Sequence, residues 1–142
     1  MSIVVQLEIV TPEALLLSEE TDLVTAPGAE GYFGVMAGHA PFVTLLQAGV
    51  LTVGSHTGEE DEKARRYAIA GGYAEILPGK VTILTERAMA REELRRPQVD
   101  QERKEAREKL SSLTPADPQG VYWQSRLDFA DVCQALLDKQ KS

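Results

Sequence analysis

The chain has 142 residues, 43% of them hydrophobic and 26% charged, and its net charge is -7. That length suits one ordinary domain or two small ones of a globular protein. No apolar run approaches the roughly 20 residues of a membrane span, and the lone Cys133 excludes an internal disulfide and a cysteine-built zinc site.

The charge is unevenly placed. Residues 1–86 hold 4 Lys/Arg against 12 Asp/Glu, and residues 87–142 hold 11 against 10. An acidic first part argues against nucleic acid or anionic lipid as its partner. The charge step near Glu86 predicts a boundary between a first domain at 1–86 and a second at 87–142.

The opening MSIVVQLEIVTPE has neither the basic start nor the long apolar run of a signal peptide. Ile3, Val5, Leu7 and Ile9 alternate with positions that include Gln6 and Glu8, the period of a half-buried strand. Thr11-Pro12-Glu13 turns the chain. Short apolar runs follow at 14–17, 22–26, 42–46, 49–53, 67–71, 73–77 and 81–85. Pro27-Gly28 and Leu77-Pro78-Gly79-Lys80 read as turns between them. Many short strands at this spacing predict an all-β sandwich or barrel. The charged run at 55–66 reads as an exposed hairpin loop.

After Glu86 the composition turns to helix formers. Pro97 breaks any helix passing through it. Beyond it Val99, Arg103, Ala106, Leu110 and Leu113 form one narrow seam on a charged helix. TPADPQG is a loop, with Asp117-Pro118 as an N-cap and N1 pair. A last helix carries Phe129, Val132, Cys133, Leu136 and Leu137 on one face, and Tyr122 extends that face one heptad upstream. The two helices are expected to pair as an antiparallel hairpin that buries few large side chains and can change its docking.

Residues for chemistry are scarce. His39 and His56 belong to no spaced ligand cluster. No serine stands in a nucleophile elbow, and Cys133 lies on an apolar helix face. Gly28, Gly31 and Gly34 fall three apart, but no helix follows to cradle a phosphate. A chain without a nucleophile or a ligand set works through its surfaces. Phe33 and Val35 are expected in the core, and Tyr32 and Met36 as exposed contacts.

The segment P-G-A-E-G-Y-F-G-V-M-A-G-H-A-P, residues 27–41, resembles the P-G-x-E-G-x-x-G-x-x-x-G-H-A-P segment of the ε subunit of F-type ATP synthases. AIAGGYAEILPGKVTILTERA, residues 68–88, resembles that family's second typical stretch. The resemblance implies a sandwich of about ten short strands followed by an α-helical hairpin. It implies a non-catalytic rotor subunit that binds γ, sits on the polar loops of the c-ring and couples rotation to ATP synthesis. It also implies a hairpin that extends along γ toward the α and β subunits and restrains ATP hydrolysis. The expected place is the cytoplasmic side of a bacterial membrane, peripheral and without insertion.

Carried over residue by residue, the resemblance sets His39, Glu30 and Tyr32 at the c-ring interface. His39 has a second reading, a structural hydrogen bond in its turn. Tyr32 stands where many members have a carboxylate, and Ala37 where they have proline. No cofactor is expected, with ATP as a regulatory ligand left open. Asp100 and Arg103 match the [IL]-D-x-x-R-A motif of ATP-binding members, but Lys104 departs from it. The partner R-x-x-x-R is missing, since Ala130 follows Arg126 four residues on. A nucleotide-sensing regulatory module is therefore the alternative to the rotor subunit. A free-standing β-sandwich enzyme or sugar-binding module is a third reading, without a polar constellation to carry it.

Overall fold

The period-two pattern at the start does form a strand. A computed structural model describes residues 4–38, 40–54 and 64–139. The loop reading of 55–66 falls mainly on residues 55–63, outside that set, and His39 and His56 also lie outside the described residues. Among the described residues, eight strands run β1 Val5–Val10, β2 Leu15–Thr21, β3 Val24–Gly28, β4 Gly31–Val35, β5 Phe42–Val53, β6 Arg65–Leu77, β7 Lys80–Leu84 and β8 Ala88–Ala90. A short 3-10 turn, Arg91–Glu93, leads to α1 Arg96–Ser111 and α2 Gln119–Asp138. The apolar runs at 42–46 and 49–53 are one long strand, and so are those at 67–71 and 73–77.

The strands are ordered β2-β1-β7-β6-β5-β3-β4, with β8 on the far part of β6. All pairs are antiparallel except β1 with β7. The two long strands bend and let one sheet fold over on itself. The first half of β6 pairs with β8, and its second half with β7. The bend falls at Gly71 and Gly72, whose φ values are +96° and +129°. Side chains avoid that region, and a Cβ at Gly72 would collide with the Leu84 carbonyl. Glycine is thus required where the sandwich turns its corner.

The period of two decides what fills the sandwich. Leu7 and Ile9 of β1, Ile76 of β6 and Val81 and Ile83 of β7 point inward from one layer. Val24, Val35, Leu51, Val53 and Ile69 meet them from the other. Phe33 is partly buried against this core and Val35 wholly buried, as their pattern predicts, while Tyr32 and Met36 are exposed. The turn expected at Pro27-Gly28 sits one step later, at Ala29-Glu30, with Pro27 and Gly28 still in β3.

The helix formers at 87–95 make no α-helix, only a strand and the short 3-10 turn. Ala88–Ala90 joins the sheet because Met89 and its neighbours find open pairing positions on β6. Pro97 lies in the first turn of α1, where its missing N–H removes no helical hydrogen bond. Only Val99 and Ala106 of α1 are buried, in keeping with its narrow seam. The N-cap of α2 is Pro118 and its first residue Gln119, one step later than the expected Asp117-Pro118 pair, with Asp117 accepting a hydrogen bond from the Gln119 N–H at 2.9 Å.

The buried face of α2 holds Phe129, Cys133, Leu136 and Leu137, packed with Leu94, Val99, Ala68 and the partly buried Val50, Ala70, Val132 and Met89. Val50, Ala68 and Met89 share one cross-strand row, so α2 covers the outer face of that half of the sheet. Tyr122 departs from its expected place and is exposed, because the loop end of the hairpin stands off the sandwich. A cleft of about 860 Å³ opens there between Leu46–Ala48 and Ala70–Gly72 on one side and Leu110, Leu113 and Val121 on the other. Tyr122 lies instead beside the Arg126 guanidinium, 5.6 Å from its ring centroid.

Candidate functional site

Two exposed regions and one ion-pair cluster stand out among the described residues. The first is the outer face of the other half of the sheet. Leu45 pairs with Tyr73, Tyr73 with Leu84, Leu84 with Val10 and Val10 with Leu15. Five neighbouring strands thus put an apolar residue in one transverse row. Leu45, Tyr73, Leu84 and Leu15 are each exposed, with Val10 half-buried between them. Val43, also exposed, borders the row one pairing step away, beside Glu75, Thr82 and Glu8. A contiguous apolar row with a polar border, on a face the chain's own helices leave open, has the character of an interaction surface.

The second region is the β3–β4 tip. Its two-residue turn carries Glu30, which is exposed. The Ala29 N–H donates to the Leu45 carbonyl at 3.0 Å, and the Gln47 amide donates to the Gly28 carbonyl at 3.0 Å. Tyr32, 57% exposed, is not a free side chain, since its hydroxyl accepts a hydrogen bond from the Val50 N–H at 3.0 Å. The tip is therefore braced against β5. Its neighbour Leu45 belongs to the apolar row, so the two regions adjoin.

The third feature holds the hairpin down. The Arg87 guanidinium, just after β7, pairs with Glu102 of α1 at 2.9 Å and lies 4.3 Å over the Phe129 ring of α2. Arg126 of α2 reaches the same Glu102 at 3.3 Å. One carboxylate thereby ties sheet, first helix and second helix. Beside it the Cys133 thiol is pushed up to about 12, chiefly by burial, with Arg87 lowering it and Glu102 raising it. A thiol so held is neutral and a poor nucleophile or metal ligand.

Asp100 and Arg103 of the ATP motif stay neighbours on α1 and line one cleft with Lys104, Arg107 and Glu108. Arg103 pairs across the hairpin with Asp131 at 2.6 Å, and Asp100 is exposed on the outside of α1, inside the helix and not at its cap. Among the described residues no group of three His, Cys, Asp or Glu is placed to hold a metal, and no helix is long and apolar enough to cross a membrane. The apolar row escaped the sequence reading for a plain reason. Its residues are visible as strand positions, but only the register aligns them, and register is set by long-range pairing. Glu102 and Arg87 gave no signal, because each is one charge among many.

These features define a class, a two-part protein that acts through binding faces. The ATP synthase delta/epsilon chain β-sandwich domain matches residues 4–91. The ATP synthase epsilon chain of Magnetococcus marinus is 37% identical over 138 residues, covering 97% of each chain. A chain of the Euglena gracilis mitochondrial ATP synthase, in a structure of OSCP, F1 and c-ring, superposes with a TM-score of 0.75 at 27% identity, over 96% of this chain and 83% of that one. A chain of the Tetrahymena thermophila mitochondrial enzyme shares the fold at 14% identity, with a TM-score of 0.58 over 97% and 96%. This chain belongs to the ATP synthase delta/epsilon family, as an epsilon-type, non-catalytic subunit of an F-type ATP synthase.

Proposed function

We propose that the chain sits in the central stalk, with γ seated on its open sheet face and the polar loops of the c-ring on its β3–β4 tip. The observation that carries this reading is the apolar row Leu45–Tyr73–Leu84–Val10–Leu15, left uncovered by a chain that covers its other outer face itself. A torque-bearing part needs a stiff body and broad contacts, and a dry sandwich core supplies the first. Glu30 offers the ring an unpaired charge at a braced point, and His39 follows in the same segment. In this reading the chain lies at the cytoplasmic face of a bacterial membrane as a peripheral subunit.

In this reading the hairpin has two positions. Docked, it is held by α2 packing and by the Arg87–Glu102–Arg126 cluster. Extended, it reaches α and β and restrains hydrolysis. In this reading ATP takes no part, because Arg103 of the motif already faces Asp131, and Arg126 of the second helix faces Glu102. Calorimetry of the full chain with ATP is expected to give no heat of binding at millimolar ATP.

The test of the seating uses the αβγ assembly. Tyr73→Ala is expected to weaken binding of the chain to γ by about tenfold or more, as loss of a central aromatic anchor does. Unchanged affinity would move γ to another face. A chain ending at Ala88 is expected still to bind γ and to raise the rate of ATP hydrolysis. Equal rates would make the hairpin passive.

A further inference from the structure

The pairing of β3 with β5 is broken where the tip begins. Val24 pairs with Val53 and Thr25 with Thr52, but the next pair is Gly28 with Leu46. Ala26 and Pro27 therefore face the five residues Gln47 to Leu51. Neither Ala26 nor Pro27 has a paired residue on β5, and Pro27 has no N–H to offer. Two side chains close it instead. Gln47 donates to the Gly28 carbonyl at 3.0 Å, and the Tyr32 hydroxyl takes the Val50 N–H at 3.0 Å.

The Tyr32 bond depends on the residue beneath it. Tyr32 is the cross-strand neighbour of Pro27, and its ring reaches over Pro27 to Gly49. A Cβ at Gly49 would stand 2.8 Å from the Tyr32 hydroxyl and 2.6 Å from the Pro27 Cβ. The hydroxyl meets Val50 only because residue 49 has no side chain. Pro27, Tyr32 and Gly49 thus form one lock across the break.

We infer that Tyr32 is a positioning residue, which holds the β3–β4 tip rigid so that Glu30 meets its partner at a fixed point, and that it does not itself make the contact. The inference rests on the proposed seating of the tip on the c-ring. It assigns the phenol a different task from the one the family pattern gives that position. A stiff tip transmits torque without first using rotation to bend the contact, and it loses little freedom on docking.

Two measurements test it. Hydrogen exchange at the Val50 amide in the full chain is expected to rise about two- to tenfold in Tyr32→Phe, the usual worth of one such bond. Gly49→Ala is expected to do the same by displacing the ring. An unchanged Val50 amide in both variants would overturn the lock. The second measurement is proton pumping per ATP hydrolysed in the reconstituted complex. Tyr32→Phe is expected to lower it in the parent and to add nothing in a Glu30→Gln background, because it acts through Glu30. A further loss in that background would overturn the assignment and make Tyr32 a contact. If Glu30→Gln leaves pumping intact while Val50 exchange rises in Tyr32→Phe, the lock holds and the seating of the tip is what fails.

Discussion

The two outer faces of this sandwich share the long strands β5 and β6 and end differently. On one, Val50, Ala68, Ala70 and Met89 lie under α2. On the other, Leu45, Tyr73, Leu84 and Leu15 stand in solvent. Both faces are apolar. The covered face is made mostly of small or flexible side chains, which let a helix approach closely, and it is flanked by the ion pairs of Arg87, Glu102 and Arg126. The open face carries larger residues, and no element among the described residues covers it. Both β5 and β6 supply residues to each face, and β6 does so by turning a corner at Gly71-Gly72 and changing sheet layers halfway.

The largest effect is expected at that corner, since it makes the two faces possible. Gly72→Ala would force a Cβ into the Leu84 carbonyl and hold a non-glycine residue at φ +129°. A loss of about 3 kcal/mol or more in unfolding free energy is expected, from strain and collision together. Urea unfolding of the full chain measures it. A loss below about 1 kcal/mol would mean the bend relaxes freely and the two layers are not rigidly joined.

The second prediction breaks the covered face alone. Phe129 is wholly buried and stacks under Arg87. Phe129→Ala is expected to weaken hairpin docking by about 3 kcal/mol, the usual cost of emptying a buried aromatic site. Amides of α1 and α2 are then expected to exchange fast while those of β1 and β7 stay slow. A parallel loss in both sets would show that hairpin and sandwich unfold as one unit.

The third prediction uses pH to sharpen the same contrast. Burial raises the Cys133 thiol to about 12 when the hairpin is docked. An undocked thiol ionises near its ordinary value of about 8.5. The folded pKa is the higher one, so this contribution is fully present below about 8.5 and is lost as pH rises through the docked value near 12. Alkylation of Cys133 at pH 8 is expected to be slow in the parent chain and much faster in Phe129→Ala. Equal rates would mean the thiol is already accessible with the hairpin docked.

Much of this architecture was legible in the chain. Alternation gave the strands, and the i, i+3, i+4 spacing of Phe129, Val132 and Cys133 gave the docked face of α2. What failed was local pattern without its context. Tyr122 sits at the right heptad position, but the loop end of the hairpin stands off the sandwich across a cleft. Residues 88–90 have helix-forming composition, yet an open edge of β6 recruits them as a strand. The candidate site was half legible. Glu30 and Tyr32 were found through a motif, and the lock that joins Tyr32 to Val50 depends on a register break that no local pattern announces.

The smallest expected change in stability belongs to the open face, and its smallness carries the argument. Leu45 is 53% exposed in a row of apolar neighbours. Leu45→Ser removes part of that row without opening a cavity, so the unfolding free energy is expected to fall by no more than about 1 kcal/mol. A residue that serves only the fold would show its whole effect in the isolated chain. A residue that serves a partner shows it when the partner is present, because only then is its surface removed from water. Binding of Leu45→Ser to γ is therefore expected to weaken clearly while the melting curve of the free chain barely moves. The reverse pattern, a large stability loss with intact binding, would make the open face part of the sandwich's own packing and leave the partner surface to be sought elsewhere.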